Sequence, residues 1–279
     1  MRLVVQGRAI HVAHLTHIHR LVGGNAQFMQ TGEFSYYLPT NLTSSAEISG
    51  FCAQEQVDCA FVPDAQRINQ FGLCVMDMDS TLISIECIDE IADMIGIKPQ
   101  ISAITERAMR GELDFAQSLR ERVSLLKSLS ESDLLRVLNA RLTLNPGAKA
   151  WIETCKANNI KTVLVSGGFT FFANRVKEML GLDVAISNTL EIIDGKLTGN
   201  ILGDIVDAQA KADALIQFRN ELNLQEHQTI AIGDGANDLK MMSVAGIGVA
   251  YHAKPVVQAQ ATYALNNTGL EGVIGLLTA

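Results

Sequence analysis

Leu73-Cys74-Val75-Met76-Asp77-Met78-Asp79-Ser80-Thr81 is the stretch that decides how this chain is read. The first four residues form a short apolar run of the length of a buried strand. Two carboxylates follow, one residue apart, where a strand gives way to a loop. In open α/β sheets the carboxyl ends of the strands are where ligands bind. A strand alternates its side chains, so Asp77 and Asp79 share a face if the extended conformation persists. Two like charges side by side are costly unless a cation neutralises them or one holds a proton. The same letters also fit a polar strand end with a helix cap at Ser80 or Thr81.

Three later segments bear on the choice. Lys161-Thr162-Val163-Leu164-Val165 reads as a strand and ends in Ser166-Gly167-Gly168. Lys211 falls in a helix-like segment from Asp207 to Glu221. Thr229-Ile230-Ala231-Ile232 is another strand run, followed by Gly233-Asp234-Gly235-Ala236-Asn237-Asp238. Each has a plain rival: a strand-to-helix turn, a solvated lysine, a tight turn with a helix cap. In this order, the four segments resemble the motifs of the haloacid dehalogenase superfamily of phosphatases. The resemblance implies an α/β fold: a Rossmann-like parallel-sheet core with an inserted helical-bundle cap.

Composition narrows the alternatives. The chain has 279 residues and is 48% hydrophobic, enough for a sizeable core in one large or two smaller domains. Its net charge of −8 leaves no basic footprint for nucleic acid. No run approaches the ~18 apolar residues of a membrane span. Met1 to Gly7 lacks the apolar core of a secretory signal. Five cysteines without close pairing fit reduced thiols in the cytoplasm.

Residues 1–68 read as a small α+β unit of unassigned role. Leu3 to Val5, Phe34 to Leu38 and Cys59 to Val62 have strand character; His11 to Val22 and Ser44 to Gln56 have helical character. Residues 69–279 form the core, with the cap at about 84–144. Helix signals there cover Ile88 to Ile97, Ile101 to Arg110, Asp114 to about Leu129, and Leu134 to Ala140 behind Ser130. Leu190 to Ile193 and Lys196 to Ile201 read as a hairpin, and Thr262 to Leu265 as a last strand.

The superfamily resemblance also assigns roles. Asp77 is the nucleophile, Asp79 the proton donor and acceptor, and Ser166, Gly167, Lys211 and Asn237 contact the phosphoryl group. Asp77, Asp79 and Asp234 hold Mg²⁺, with Asp238 acting through water; hard oxygen ligands suit that ion. Within the superfamily, Glu86 and Phe115 to Val123 look most like the phosphoserine phosphatase family. That likeness puts Glu86, Met109, Phe115 and Arg122 on the substrate. A carboxylate can pair an ammonium, and an arginine fork can hold a carboxylate. Glu86 and Arg122 also fit a helix N-terminus and a charged helix face. The implied partner is a small phosphate ester, O-phospho-L-serine first and phosphohomoserine, phosphothreonine or phosphoethanolamine as rivals, in a monomer or homodimer. A regulatory protein that senses an amino acid through residues 1–68 is the rival of another class. His11, His14, His17 and His19 recur along one helix, where a solvated face is expected rather than a metal site.

Overall fold

The structure, a computed structural model, describes residues 1–278. The chain opens with β1 (Arg2–Gln6), α1 (Val12–Val22), β2 (Met29–Gly32), β3 (Ser35–Pro39), α2 (Ala46–Gln54) and β4 (Asp58–Val62). These strands make an antiparallel sheet in the order β2-β3-β1-β4. Its core is Leu3, Val5, Ile18, Leu38, Ile48, Cys52 and Val57. Ser45 starts α2 by accepting from Ile48 N, and Gly23 ends α1 at φ 71°.

The second sheet begins at β5 (Leu73–Met76). After it come α3 (Cys87–Met94), α4 (Lys98–Met109), α5 (Phe115–Ser124) and α6 (Glu131–Arg141). The chain returns through α7 (Ala148–Ala157), β6 (Lys161–Phe169), α8 (Thr170–Leu180), β7 (Val184–Ile193) and β8 (Lys196–Leu202). It closes with α9 (Ala208–Glu221), β9 (Thr229–Gly233), α10 (Leu239–Ser243), β10 (Ile247–Tyr251), α11 (Pro255–Gln258), β11 (Tyr263–Leu265) and α12 (Glu271–Thr278). The strand order is β11-β10-β9-β5-β6-β7-β8, parallel except for β8. This is the α/β, parallel-sheet class expected from the sequence.

Strand alternation explains how the site is placed. Cys74 and Met76 face one core, with Trp151, Phe172 and Leu276. Leu73 and Val75 face the other, with Leu215 and Phe218 of α9. Both faces of β5 are therefore covered, which is why it reads as an unbroken apolar run. Asp77 continues the Leu73–Val75 face, the face α9 covers, while Met78 joins the opposite core. The parity of the strand thus aims Asp77 at Lys211.

The helical excursion leaves and re-enters the core at one place. Ile83 pairs with Leu144, and Ser84 N donates to Thr143 O. Asp114 and Ser130 start α5 and α6 with capping boxes. Helix α5 stops at Ser124, short of the expected Leu129. The reason is tertiary: Ser128 N donates to Leu197 O, and Leu197 N to Leu129 O. Backbone that pairs with β8 cannot also close helical turns. Ser128 accordingly turns at φ 70°. Strand β7 also starts earlier than the expected Leu190, because Val184 to Ser187 pair with β6.

Buried polar groups fasten the small sheet to the large one. Arg2, 1% exposed, donates across to Leu276 O of α12, while Pro63 O and Gln66 O hold it from its own segment. Asp58 accepts from the backbone of Asn266, Asn267 and Thr268 and from Thr268 Oγ1.

Of the α1 histidines, His11 and His17 are exposed as expected, His19 is half-buried and His14 alone is buried. His14 is buried with Nε2 3.3 Å from Glu55, and His17 stacks on Phe51 of α2.

Candidate active site

The cavity at the carboxyl ends of β5, β6 and β9 measures about 140 Å³. That is below the roughly 300–1,000 Å³ of drug-sized ligand sites. Its walls include Asp77, Asp79, Glu86, Phe115, Arg122, Ser166, Gly167, Asp234 and Asn237. Of the residues singled out in the sequence, three are placed elsewhere. Lys211 and Asp238 lie buried behind the wall, and Met109 stands 74% exposed at the end of α4.

Lys211 Nζ lies 2.8 Å from Asp77 Oδ2 and 2.8 Å from Asp238 Oδ1. Burial pulls its pKa down, but the two carboxylates more than reverse this, so the ammonium is held charged. Asp77 Oδ1 accepts from Met78 N at 2.7 Å. Both oxygens of Asp77 are thereby oriented. Asp238 Oδ2 accepts from Gly235 N, which folds the β9 loop back on itself. A Cβ on Gly233 would stand 2.3 Å from Asp238 Cγ, so this close approach requires glycine.

Asp77, Asp234 and Asp238 each offer an oxygen, all within 4.8 Å of one another. Among the described residues this is the one grouping of side chains able to hold a metal ion. Burial, then the neighbouring Asp77 and Asp238, pushes Asp234 up to about 7. Burial and Asp77 raise Asp238 to about 6, against the pull of Lys211. Asp79 is raised well above the carboxylate range, by burial first and by Glu86 and Asp77 next. Its Oδ1 is buried without a hydrogen-bond partner. Such a group favours the protonated acid.

The mouth of the cavity carries the other charges. Ser80 Oγ donates to Glu86 Oε1 at 2.7 Å. Desolvation and the nearby Asp77 raise Glu86, with Ser80 opposing. Arg122 donates Nε to Ser118 O and forms no ion pair among the described residues. Burial lowers its pKa; Asp89 and Glu86 act the other way. Phe115 rests on Gly167, where a Cβ would come within 2.9 Å of Cζ. Five carboxyl groups, Asp79 among them as the protonated acid, thus converge on two cations, a deficit of positive charge that an anionic ester alone would deepen.

Sequence reasoning missed several groups around the site. Thr81 Oγ1 donates to Asp234 Oδ1 at 3.1 Å. Asn145 Nδ2 donates to the carbonyls of Ser80, Thr81 and Ile83, holding the loop after β5. Ile88, Leu119 and Phe169 supply apolar wall. Thr81 was readable as part of the first motif; Asn145 gave no local signal.

The model of the haloacid dehalogenase-like hydrolases matches residues 74–243. A Vibrio cholerae phosphoserine phosphatase is 50% identical over 80% of this chain and 68% of its own length. One from Idiomarina loihiensis is 53% identical over 74% of this chain and 93% of its own. The unliganded crystal structure of a probable phosphoserine phosphatase from Vibrio cholerae superposes with TM-score 0.87 at 42% identity. It covers 99% of this chain and 86% of that one. A substrate-bound phosphoserine phosphatase complex superposes with TM-score 0.69 at 38% identity, over 75% of this chain and 99% of that one. The chain belongs to the haloacid dehalogenase-like hydrolases, in their phosphoserine phosphatase branch.

Proposed function

We propose that the chain hydrolyses O-phospho-L-serine to L-serine and phosphate, the last step of L-serine biosynthesis, through a phosphorylated Asp77. The observation that carries this is one cavity with two ends. Asp77, braced by Lys211, stands at the closed end beside an acidic Asp79; Glu86 and the unpaired Arg122 stand at the mouth.

Asp77 Oδ attacks phosphorus, and the bond from phosphorus to the serine oxygen breaks. Asp79 gives its proton to the departing oxygen, then takes one from the water that cleaves the acyl phosphate. Ser166 and the amide of Gly167 hold phosphoryl oxygens. Lys211 keeps its charge close to them and fixes Asp77 at the same time. Asn237 orients the phosphoryl group from the β9 loop. Glu86 pairs the substrate ammonium, and Arg122 grips the carboxylate with two donors. The excursion at 84–144 acts as a cap, and its closure brings Met109 and Phe115 over the site to exclude water.

The donor set fits Mg²⁺: hard oxygens from Asp77 and Asp234, the backbone carbonyl of Asp79, and Asp238 through water. Bound there, Mg²⁺ supplies positive charge against the repulsion between Asp77 and the phosphoryl oxygens, about 4 kcal/mol per unit pair at ~4 Å and a dielectric of ~20.

The test is phosphate release from L-phosphoserine and from a panel of esters, with Mg²⁺ and with chelator, beside Asp77→Asn. A metal-dependent preference for L-phosphoserine supports the assignment. Metal-dependent turnover of phosphohomoserine, phosphothreonine or phosphoethanolamine in its place would keep the chemistry and overturn the roles of Glu86 and Arg122.

A further inference from the structure

We propose that Asn188 is a positioning residue that couples the phosphoryl-binding turn to the helix carrying Lys211; the inference rests on the phosphatase reading above. Strand β6 leaves its ladder with β7 after Ser166 and rejoins it at Phe169, opposite Asn188. Gly167 and Gly168 are thereby looped out toward the cavity. Looping out presents Ser166 and Gly167 to a phosphoryl group, but it takes the Gly167 carbonyl out of the sheet. Asn188 Nδ2 donates to that carbonyl at 2.8 Å.

The other end of the same amide faces a different motif. Asn188 Oδ1 accepts from Val206 N at 2.9 Å. Val206 precedes Asp207, whose side chain caps α9 by accepting from Gln209 N and Ala210 N. Lys211 N in turn donates to Asp207 O. One side chain therefore sets the distance between the Gly167 turn and the first turn of α9. Asn188 is 1% exposed, so bulk water cannot take over either bond. The position requires a donor and an acceptor on one short planar group. Aspartate lacks the donor, and leucine lacks both.

A buried amide that only satisfies the core would affect stability alone. A positioning amide affects the reaction in molecules that remain folded. A misplacement of about 1 Å near reacting groups costs on the order of 100-fold in rate.

The experiment uses the Mg²⁺-loaded full-length protein with Asn188→Asp and Asn188→Ala. The first keeps the acceptor for Val206 and puts an acceptor against the Gly167 carbonyl; the second removes both bonds. Circular dichroism establishes that each variant is folded. For L-phosphoserine, kcat should fall by roughly 10- to 100-fold. Inhibition by inorganic phosphate should weaken by about 10-fold or more, and inhibition by L-serine, which reads Glu86 and Arg122, by less than about 3-fold. Folded variants with unchanged kcat and unchanged phosphate inhibition would overturn the proposal. So would equal losses for phosphate and serine, which mean general disruption. If neither variant folds, NMR on the wild-type protein decides: the Asn188 side-chain amide should shift on adding phosphate, and a fixed resonance sinks the idea. A wild-type protein that does not turn over L-phosphoserine counts against the phosphatase reading, and the NMR result still judges Asn188.

Discussion

Removing divalent metal should make this protein less stable as pH rises, the reverse of the usual behaviour of carboxylate-rich proteins. Asp234, ordinarily near 3.8, is held at about 7 in the folded chain, and Asp238 at about 6. Between those values and the unfolded pKa, the folded state binds more protons than the unfolded one. The stability these two groups contribute is therefore full below about pH 4 and is lost progressively as pH climbs to 6 and 7. From about pH 5.5 to about pH 7.5, Asp234 alone contributes a loss of about 2 kcal/mol, and Asp238 somewhat under 1 kcal/mol. At roughly 2–3 °C per kcal/mol for a chain of this size, the melting temperature should drop by roughly 5 °C or more. The assay is thermal unfolding of chelator-treated protein at the two pH values, beside Asp234→Asn. The asparagine cannot titrate, so its melting temperature should change less. Adding Mg²⁺ at the higher pH should recover the lost stability, because a ligand that binds only the folded state stabilises it. Metal-free stability that is flat or rising over this interval, or a variant with the same slope as the parent, would refute the assigned cause.

Three further outcomes follow from the geometry. Arg122→Ala should cut kcat/KM for L-phosphoserine by about 100-fold, yet change turnover of phosphoethanolamine by less than about 3-fold; parallel kinetics on both esters check this. Asp77→Asn should reduce phosphate release to background while the far-UV circular dichroism stays unchanged, since the amide fills the same space without the nucleophile. Gly168→Ala should lower kcat by about 10-fold or more, because its Cβ would stand 2.9 Å from Met78 Cε and 3.0 Å from Asp79 Oδ2; a kinetic assay of the folded variant decides.

The core was legible because its strands obey a simple rule. Leu73 to Met76 and Ile230 to Ile232 are apolar throughout since helices cover both faces, and motif residues follow each directly. Strand β2 was not legible: Met29 to Gly32 form an edge with almost every side chain in solvent, so no alternation marks them. Helix α5 was drawn too long because its stop is written in β8, far along the chain. Within the site, identity and order revealed Asp77, Asp79, Lys211 and Asp234. They could not tell that Asp238 lies behind the wall, clamped between Lys211 and Gly235. Asn145 and Asn188 carried no local signature, since what each holds is a carbonyl brought near by folding.

Two buried charged side chains join the small sheet to the rest beside the apolar contact of Val4 and Val62, and that has a consequence for how the molecule can come apart. Separating them would take Leu276 O from the Arg2 guanidinium and Asp58 from the amides of 266–268. Exposed by the separation, these groups would bond to water instead, so each lost hydrogen bond to a charged side chain is worth about 1.5–3 kcal/mol. The two sheets should melt in one cooperative step, and a fragment starting near Gly72 would open to water the apolar side chains that Val4 and Val62 cover and the amides that Asp58 holds.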